Sequence, residues 1–198
     1  MALLLTASLL ALLLPGSGLT EAEIDQALAG KVPARSEPFT TPEGLATGRG
    51  IGAIAIERPI GEVWDTLARF DDRAEYVPRL LSVTVLDRTP SRIHVRQEID
   101  ASVRKVKYTA FYDLDAERRT IHWTLDKSAP DNGIKGVDGT YALYEVGPGR
   151  TLLVYRTWLD SGLKVPQFIQ RYVAVHSIPN LLRAIKQRVE SGGAWKKK

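Results

Sequence analysis

Residues 165–190, VPQFIQRYVAVHSIPNLLRAIKQRVE, decide the fold. Phe168, Ile169, Tyr172, Val173 and His176 recur at three- and four-residue steps, and Leu181, Leu182, Ile185 and Val189 continue the stripe. That period belongs to an amphipathic helix, with Arg171, Arg183, Lys186, Gln187 and Arg188 largely on other faces. Pro166 suits a first turn, where its missing N–H has no partner to lose. Pro179 removes a backbone bond and crowds the turn before it, so a kink or break is expected near Ser177. Gly192-Gly193 ends the helix, and Arg188 suits the negative end of its dipole.

Between Gly50 and Asp160 the chain reads mostly as strands. Gly50 to Glu57 is the first, with Gly52, Ile54 and Ile56 on one face. Pro59 then opens a short helix carrying Ile60, Val63, Trp64 and Leu67, and Asp71-Asp72 cap another that Pro78 closes. Beyond it the period is two. Leu81, Val83 and Val85 alternate with polar residues, as do Ile93, Val95, Gln97 and Ile99. Val106, Tyr108, Ala110 and Tyr112 follow, and then Ile121, Trp123 and Leu125. Turn signals separate these runs, so they predict hairpins with one wet and one covered face. Two further strands, Gly139 to Val146 and Arg150 to Asp160, alternate poorly. Their pattern admits Tyr141 and Leu143 pointing inward, or Ala142, Tyr144 and Val146. The order is strand, two short helices, six strands and a long helix, an α+β architecture of about seven antiparallel strands. A bent sheet gripping one helix leaves a space, which we read as holding an apolar guest.

Three segments carry a family likeness: IAIERPIGEVWDTLARFDDRAEYVPRL from Ile54, GVDGTYAL from Gly136, and WLDSGLKVPQFIQRY from Trp158. The chain resembles the helix-grip fold of START-like proteins, the SRPBCC superfamily, over about residues 50–190. That superfamily includes steroidogenic lipid-transfer domains, birch-pollen-allergen-like proteins, coenzyme Q-binding proteins and aromatic polyketide cyclases. The segments are architectural, not catalytic. Tyr141 departs from the family pattern, where Trp or Arg is common. The resemblance implies a cavity between sheet and C-terminal helix for a small apolar ligand: a lipid, sterol, quinone or polyketide. The expected lining is Val83, Val95, Gln97, Arg104, Val106, Tyr108, Trp123, Tyr141, Trp158, Phe168, Tyr172 and His176. Gln97 and Arg104 are the polar members, and a buried polar group needs a partner. Either meets a ligand oxygen, or Gln97 bonds the backbone near a bulge and Arg104 sits at the rim.

Other chemistry is hard to find. His94, His122 and His176 lack metal-ligand spacing, and His94 and His122 phase onto the wet face. No serine has a nucleophile-elbow setting and no glycine pattern leads from a strand into a helix as a phosphate loop does. No catalytic residue, metal or cofactor is therefore assigned. The net charge is +4 over 198 residues, and Lys196, Lys197 and Lys198 supply three of those charges, leaving +1. Basic residues elsewhere alternate with acids, so no nucleic-acid surface is expected. The chain has no cysteine, which excludes disulfides and a thiol nucleophile.

The termini complete the organisation. Leu3 to Leu14 is an apolar run followed by Pro15-Gly16-Ser17-Gly18, the pattern of a secretory signal without a basic start. It is shorter than the roughly 20 residues of a comfortable span. We read residues 1–18 as the signal, or an uncleaved anchor, and place the protein in the periplasm or outside the cell. Residues 19–49 read as a helix capped by Thr20 and a surface loop, 50–191 as the ligand-binding domain, and 192–198 as a basic tail. The expected function is an exported carrier of a hydrophobic ligand, with transient membrane contact and with residues 127–138 as a mobile lip. The alternative is a polyketide cyclase or dehydratase using His176, Tyr108 or Arg104, although acyl-carrier-linked substrates are cytoplasmic. An interaction module with a filled core is the third reading.

Overall fold

A computed structural model describes residues 14, 16–41, 44, 46–101, 104–161 and 167–198; for residues 46, 47 and 167–175 only the backbone element is described. In chain order the elements are α1 (Glu21–Leu28), β1 (Ala34–Thr40), β2 (Ala46–Ile56), α2 (Ile60–Ala68), α3 (Arg73–Tyr76) and β3 (Leu80–Arg88). Then come β4 (Arg92–Asp100), β5 (Lys105–Asp115), β6 (Thr120–Leu125), β7 (Gly136–Gly147), β8 (Arg150–Asp160) and α4 (Gln167–Glu190). One antiparallel sheet holds eight strands in the order β1-β2-β8-β7-β6-β5-β4-β3. Hairpins join every pair from β3 to β8, while α2 and α3 carry the chain from β2 to the far edge.

Residues 34–40, expected as loop, form the edge strand β1, paired Ala34↔Gly52 through Thr40↔Ala46. This is why the sheet has one strand more than its sequence suggests. Pro38 hides the strand, yet a proline is tolerated on an edge because no neighbour needs its N–H. The break expected near Ser177 does not occur: helix α4 runs unbroken through Pro179. The proline is buried beside Ile178, so packing offsets its missing backbone bond.

Two faces of the sheet are covered in different ways. On the inner face Ile178, Leu182, Ile185 and Val189 of α4 are buried against it. The two approach closely at Gly52, where a Cβ would lie 2.6 Å from Ile178 Cγ2 and 3.2 Å from Leu182 Cδ1. On the outer face Leu14 and the α1 residues Ile24 and Ala27 cover Ile51, Ala53, Leu152 and Val154 in a second core. Thr20 and Glu23 cap α1 reciprocally, which satisfies two orphan N–H groups. Arg156 donates to the carbonyl of Gly16 at 3.0 Å and to that of Ser17, fixing this segment to β8.

That double cover settles the two possible facings of the last strands. Tyr141, Leu143, Leu153 and Tyr155 face the inner core, while Tyr144, Val146, Leu152 and Val154 belong to the outer one. A strand buried on both faces has no polar side to alternate with.

The basic tail is docked. Lys196 Nζ lies 3.0 Å from Glu75 Oε1, the Lys197 N–H donates to the Glu75 carbonyl at 2.9 Å, and Lys197 Nζ donates to the carbonyls of Val77 (2.9 Å) and Leu80. These bonds hold the tail against α3 and the start of β3.

Candidate functional site

The inner face of β5 to β8 is an aromatic wall. Tyr112 and Tyr155 flank Trp123 at ring distances of 5.8 and 5.6 Å, both stacked. Tyr141 lies 4.9 Å from Trp123 and 5.2 Å from Tyr155. Register brings them together, since Tyr112 pairs with Trp123 and Tyr141 with Tyr155. The glycine opposite Trp123 makes room for its ring. A Cβ at Gly139 would sit 2.1 Å from Trp123 Cζ2 and 2.7 Å from the Arg156 carbonyl oxygen. Gly136 does the same for Trp158 on the other face, with ring atoms 2.7 Å from its would-be Cβ. The segment GVDGTYAL thus seats one indole on each side of the sheet.

Polar groups enter this wall at few points. Gln97 Nε2 donates to the Tyr112 hydroxyl at 2.9 Å, and both residues are buried. Burial pushes the hydroxyls of Tyr108 and Tyr141 well above the ordinary phenol value, and that of Tyr155 to about 12. All three are neutral hydrogen-bonding groups at neutral pH. Tyr108 and Tyr155 each keep 9% of their surface accessible, although protein surrounds them.

Arg73 of α3 is the residue that sequence reasoning missed. It is 4% exposed, with its guanidinium carbon 4.2 Å above the Phe70 ring, 5.3 Å from that of Tyr112 and 5.7 Å from that of Tyr141. Burial alone drives a guanidinium toward neutrality; the surrounding tyrosines and the Tyr76 hydroxyl more than offset this, and its pKa is raised. The cation is therefore permanent.

The expected lining residues divide into three groups. Val95, Gln97, Val106, Tyr108, Trp123 and Tyr141 are buried on the inner face, with Val83 partly buried beside them. Gln97 bonds a tyrosine, not the backbone. Arg104, Trp158 and His176 stand elsewhere. Arg104 is exposed in the loop before β5 and donates to the Gly133 carbonyl at 3.2 Å. Trp158 lies on the outer face against Phe39 at 5.8 Å, because it is three residues from inward Tyr155 and so of opposite phase. His176 is exposed: the buried stripe of α4 runs 178, 182, 185, 189, and residue 176 falls off it. Phe168 and Tyr172 belong to α4, and their side chains lie outside the described residues.

The segment expected as a mobile lip is tied down. Asn132 Nδ2 donates to the Asp126 carbonyl at 2.6 Å, its Oδ1 accepts from the Thr109 N–H at 2.9 Å, and Ser128 Oγ donates to Asp126 Oδ1 at 2.6 Å. The outer face beyond it holds a depression of about 820 Å³ that includes Arg92, His94, Phe111, Asp113 and His122. It is wide and open to solvent, unlike a ligand pocket that buries most of its guest. His94 Nε2 is 3.0 Å from Asp126 Oδ2 and stacks on Phe111, and His122 Nε2 is 2.8 Å from Asp138 Oδ2. We place the site on the inner face, where burial and aromatic density coincide.

An antiparallel sheet covered by one long C-terminal helix, with an aromatic inner wall, defines a START-like protein of the helix-grip class. The chain belongs to the polyketide cyclase/dehydrase and lipid transport family, whose model matches residues 56–190. Among solved structures it is similar to the Zhui aromatase/cyclase from Streptomyces sp. R1128, at 21% identity and TM-score 0.62, over 72% of this chain and 93% of that one. It is also similar to a START superfamily protein from Mycobacterium smegmatis, at 17% identity and TM-score 0.63, over 72% and 97%. A STAR-related lipid transfer protein from Xanthomonas axonopodis matches at 12% identity and TM-score 0.63, over 78% and 98%. At these identities the likeness is one of fold. No curated protein matches the sequence.

Proposed function

We propose that the protein is a binding or carrier protein for a hydrophobic molecule held between the inner face of the sheet and α4. The observation that carries this reading is the residual accessible surface on Tyr108 and Tyr155 on the inner face, where Tyr155 stacks on Trp123 and lies against Tyr141. Aromatic walls with a few placed polar groups are the chemistry of small-molecule sites. Membership of a family that includes lipid transport supports it. A lipid, sterol, quinone or polyketide fits such a wall, and release into a bilayer would involve transient membrane contact. Solvent extraction of the purified protein followed by mass spectrometry is expected to yield a bound lipid-like molecule. Repeated absence of one, with no uptake of fluorescent sterol or fatty acid, would overturn the reading.

Export is part of the proposal. It rests on the apolar run Leu3 to Leu14 and the small residues that follow; because Leu14 is buried in the outer core and Arg156 holds Gly16 and Ser17, the form we carry forward is the uncleaved anchor. Cell fractionation with mass determination of the mature chain tests it; a cytoplasmic protein would refute it.

The second reading is a cyclase or dehydratase acting in the same space. The fold likeness to the Zhui aromatase/cyclase favours it. Of its acid–base candidates His176, Tyr108 and Arg104, the exposed His176 and Arg104 are poorly sited, which leaves Tyr108. A raised phenol pKa suits it to donate a hydrogen bond, not to act as a base at neutral pH. Tyr108→Phe separates the readings: turnover of a polyketide probe would fall while apolar-ligand binding persists.

A further inference from the structure

Among the described residues two arginines are buried to the same degree, Arg73 and Arg188, each 4% exposed. Their surroundings differ. Arg188 Nη2 meets Asp72 Oδ2 at 2.7 Å and Glu75 Oε2 at 3.0 Å, and its Nη1 donates to the Trp195 carbonyl at 2.9 Å. Arg73 sits one residue from Asp72 and two from Glu75, yet both acids turn to Arg188. Among the described residues no carboxylate lies within ion-pair distance of Arg73, and its Nε is buried without a hydrogen-bond partner. Other arginines have a buried Nε of this kind: Arg49, Arg150, Arg156 and Arg188 itself. Each of those meets a carboxylate or a carbonyl through its terminal nitrogens: Arg49 with Asp138, Arg150 with Leu28, Arg156 with Gly16 and Ser17, and Arg188 with Asp72 and Glu75. Arg73 has ring faces and the neighbouring Tyr76 hydroxyl, which itself donates to the Thr66 carbonyl at 3.4 Å.

A desolvated cation without a counter-ion is costly, and removal of one partner from a buried pair is among the most damaging changes a protein can suffer. Ring faces offset part of that cost. They do not supply what a guanidinium is shaped for, two parallel N–H bonds to a pair of oxygens. The cation also lies against Tyr112 and Tyr141, the same two rings that form the wall with Trp123. Tyr112 in turn has its hydroxyl oriented by Gln97.

We infer that Arg73 is the head-group receptor of the inner site, and that the ligand is an amphiphile with an anionic oxygen head, a carboxylate or an acidic enol or phenol, on an apolar body. The inference rests on the carrier reading above and narrows it: neutral sterols and esters would be poor ligands. The oxyanion takes the place that a carboxylate side chain takes beside Arg188, and the apolar body lies along the tyrosines and Trp123.

The test uses the full chain, stripped of bound lipid, and a matched pair of probes: 12-(9-anthroyloxy)stearic acid and its methyl ester. The acid is expected to bind at least ten-fold more tightly than the ester. Arg73→Gln is expected to abolish that preference, and Arg73→Lys to restore part of it. In the wild type, the ¹⁵Nε resonance of Arg73 is expected to shift on addition of acid and to stay in place with ester. That readout decides the matter even if Arg73→Gln fails to fold. Equal binding of acid and ester, or a preference that survives Arg73→Gln, would overturn the role of Arg73 and leave the carrier reading standing. Binding of neither probe to the wild type would remove the carrier reading and this inference with it.

Discussion

Gly139→Ala is the substitution that probes the aromatic wall most directly. The added methyl carbon would lie 2.1 and 2.4 Å from two indole atoms of Trp123 and 2.7 Å from the Arg156 carbonyl oxygen. These separations are far inside van der Waals contact. The ring cannot withdraw freely, because Tyr112, Tyr141 and Tyr155 pack against it, and the carbonyl belongs to the neighbouring strand. Overpacking of a core typically costs about 1–3 kcal/mol. Loss of glycine's freedom in the unfolded chain returns about 0.4–1 kcal/mol. With a backbone atom among the obstacles we expect the upper part of the range, a net loss of about 2 kcal/mol. In a chain of this length that is roughly 4–8 °C in Tm. Thermal unfolding and near-UV circular dichroism report stability and ring packing together. Trp123→Leu would be destabilising alone, but combined with Gly139→Ala the loss should fall short of the sum by about 1 kcal/mol or more. A Tm within about 1 °C of wild type, with an unchanged aromatic spectrum, would refute the packing argument.

Alkali should weaken the fold between about pH 10 and 12. The Tyr155 hydroxyl is raised to about 12 by burial, so its stabilisation is complete below the unfolded phenol value near 10 and is lost as pH rises through 12. Two pKa units correspond to roughly 2–3 kcal/mol, and denaturant titrations that are flat across this window would contradict it. Thr20→Ala should cost about 1 kcal/mol by opening the reciprocal cap of α1, read as a lower urea midpoint; an unchanged midpoint would show that the cap is idle. Asp138 bonds His122 and raises its pKa, so Asp138→Asn should lower the His122 titration midpoint in NMR, and an unmoved midpoint would count against the pair. That pair favours the folded state at pH below the unfolded value of about 6.5, and its contribution fades as pH rises through the raised midpoint.

The sequence was legible wherever one face of a strand met water. Strands β4, β5 and β6 alternate because α1 does not reach their outer side, and their inward residues were assigned correctly. Strands β7 and β8 were harder, because α1 and Leu14 cover what would otherwise be a polar face. Edge strand β1 was concealed by Pro38 and by a half-buried setting. The candidate site divides along the same physical line. Tyr108, Trp123 and Tyr141 follow from period and aromaticity. Arg73 does not, because a charge in DDRAEY reads as solvated, and its burial comes from Tyr112 and Tyr141, partners far along the chain. His176 shows the converse error, an apolar-looking phase that a two-residue offset of the true stripe turns to solvent.

The docked tail has a practical consequence for anyone preparing the protein. Lys196 and Lys197 grip Glu75, Val77 and Leu80, on and just beyond the short helix that presents Arg73. An affinity handle fused after Lys198, or a deletion beginning at Trp195, would tug on that helix from behind and reposition the buried guanidinium. Affinities measured on such material would report the handle as well as the proposed site, so a removable tag belongs in every binding assay.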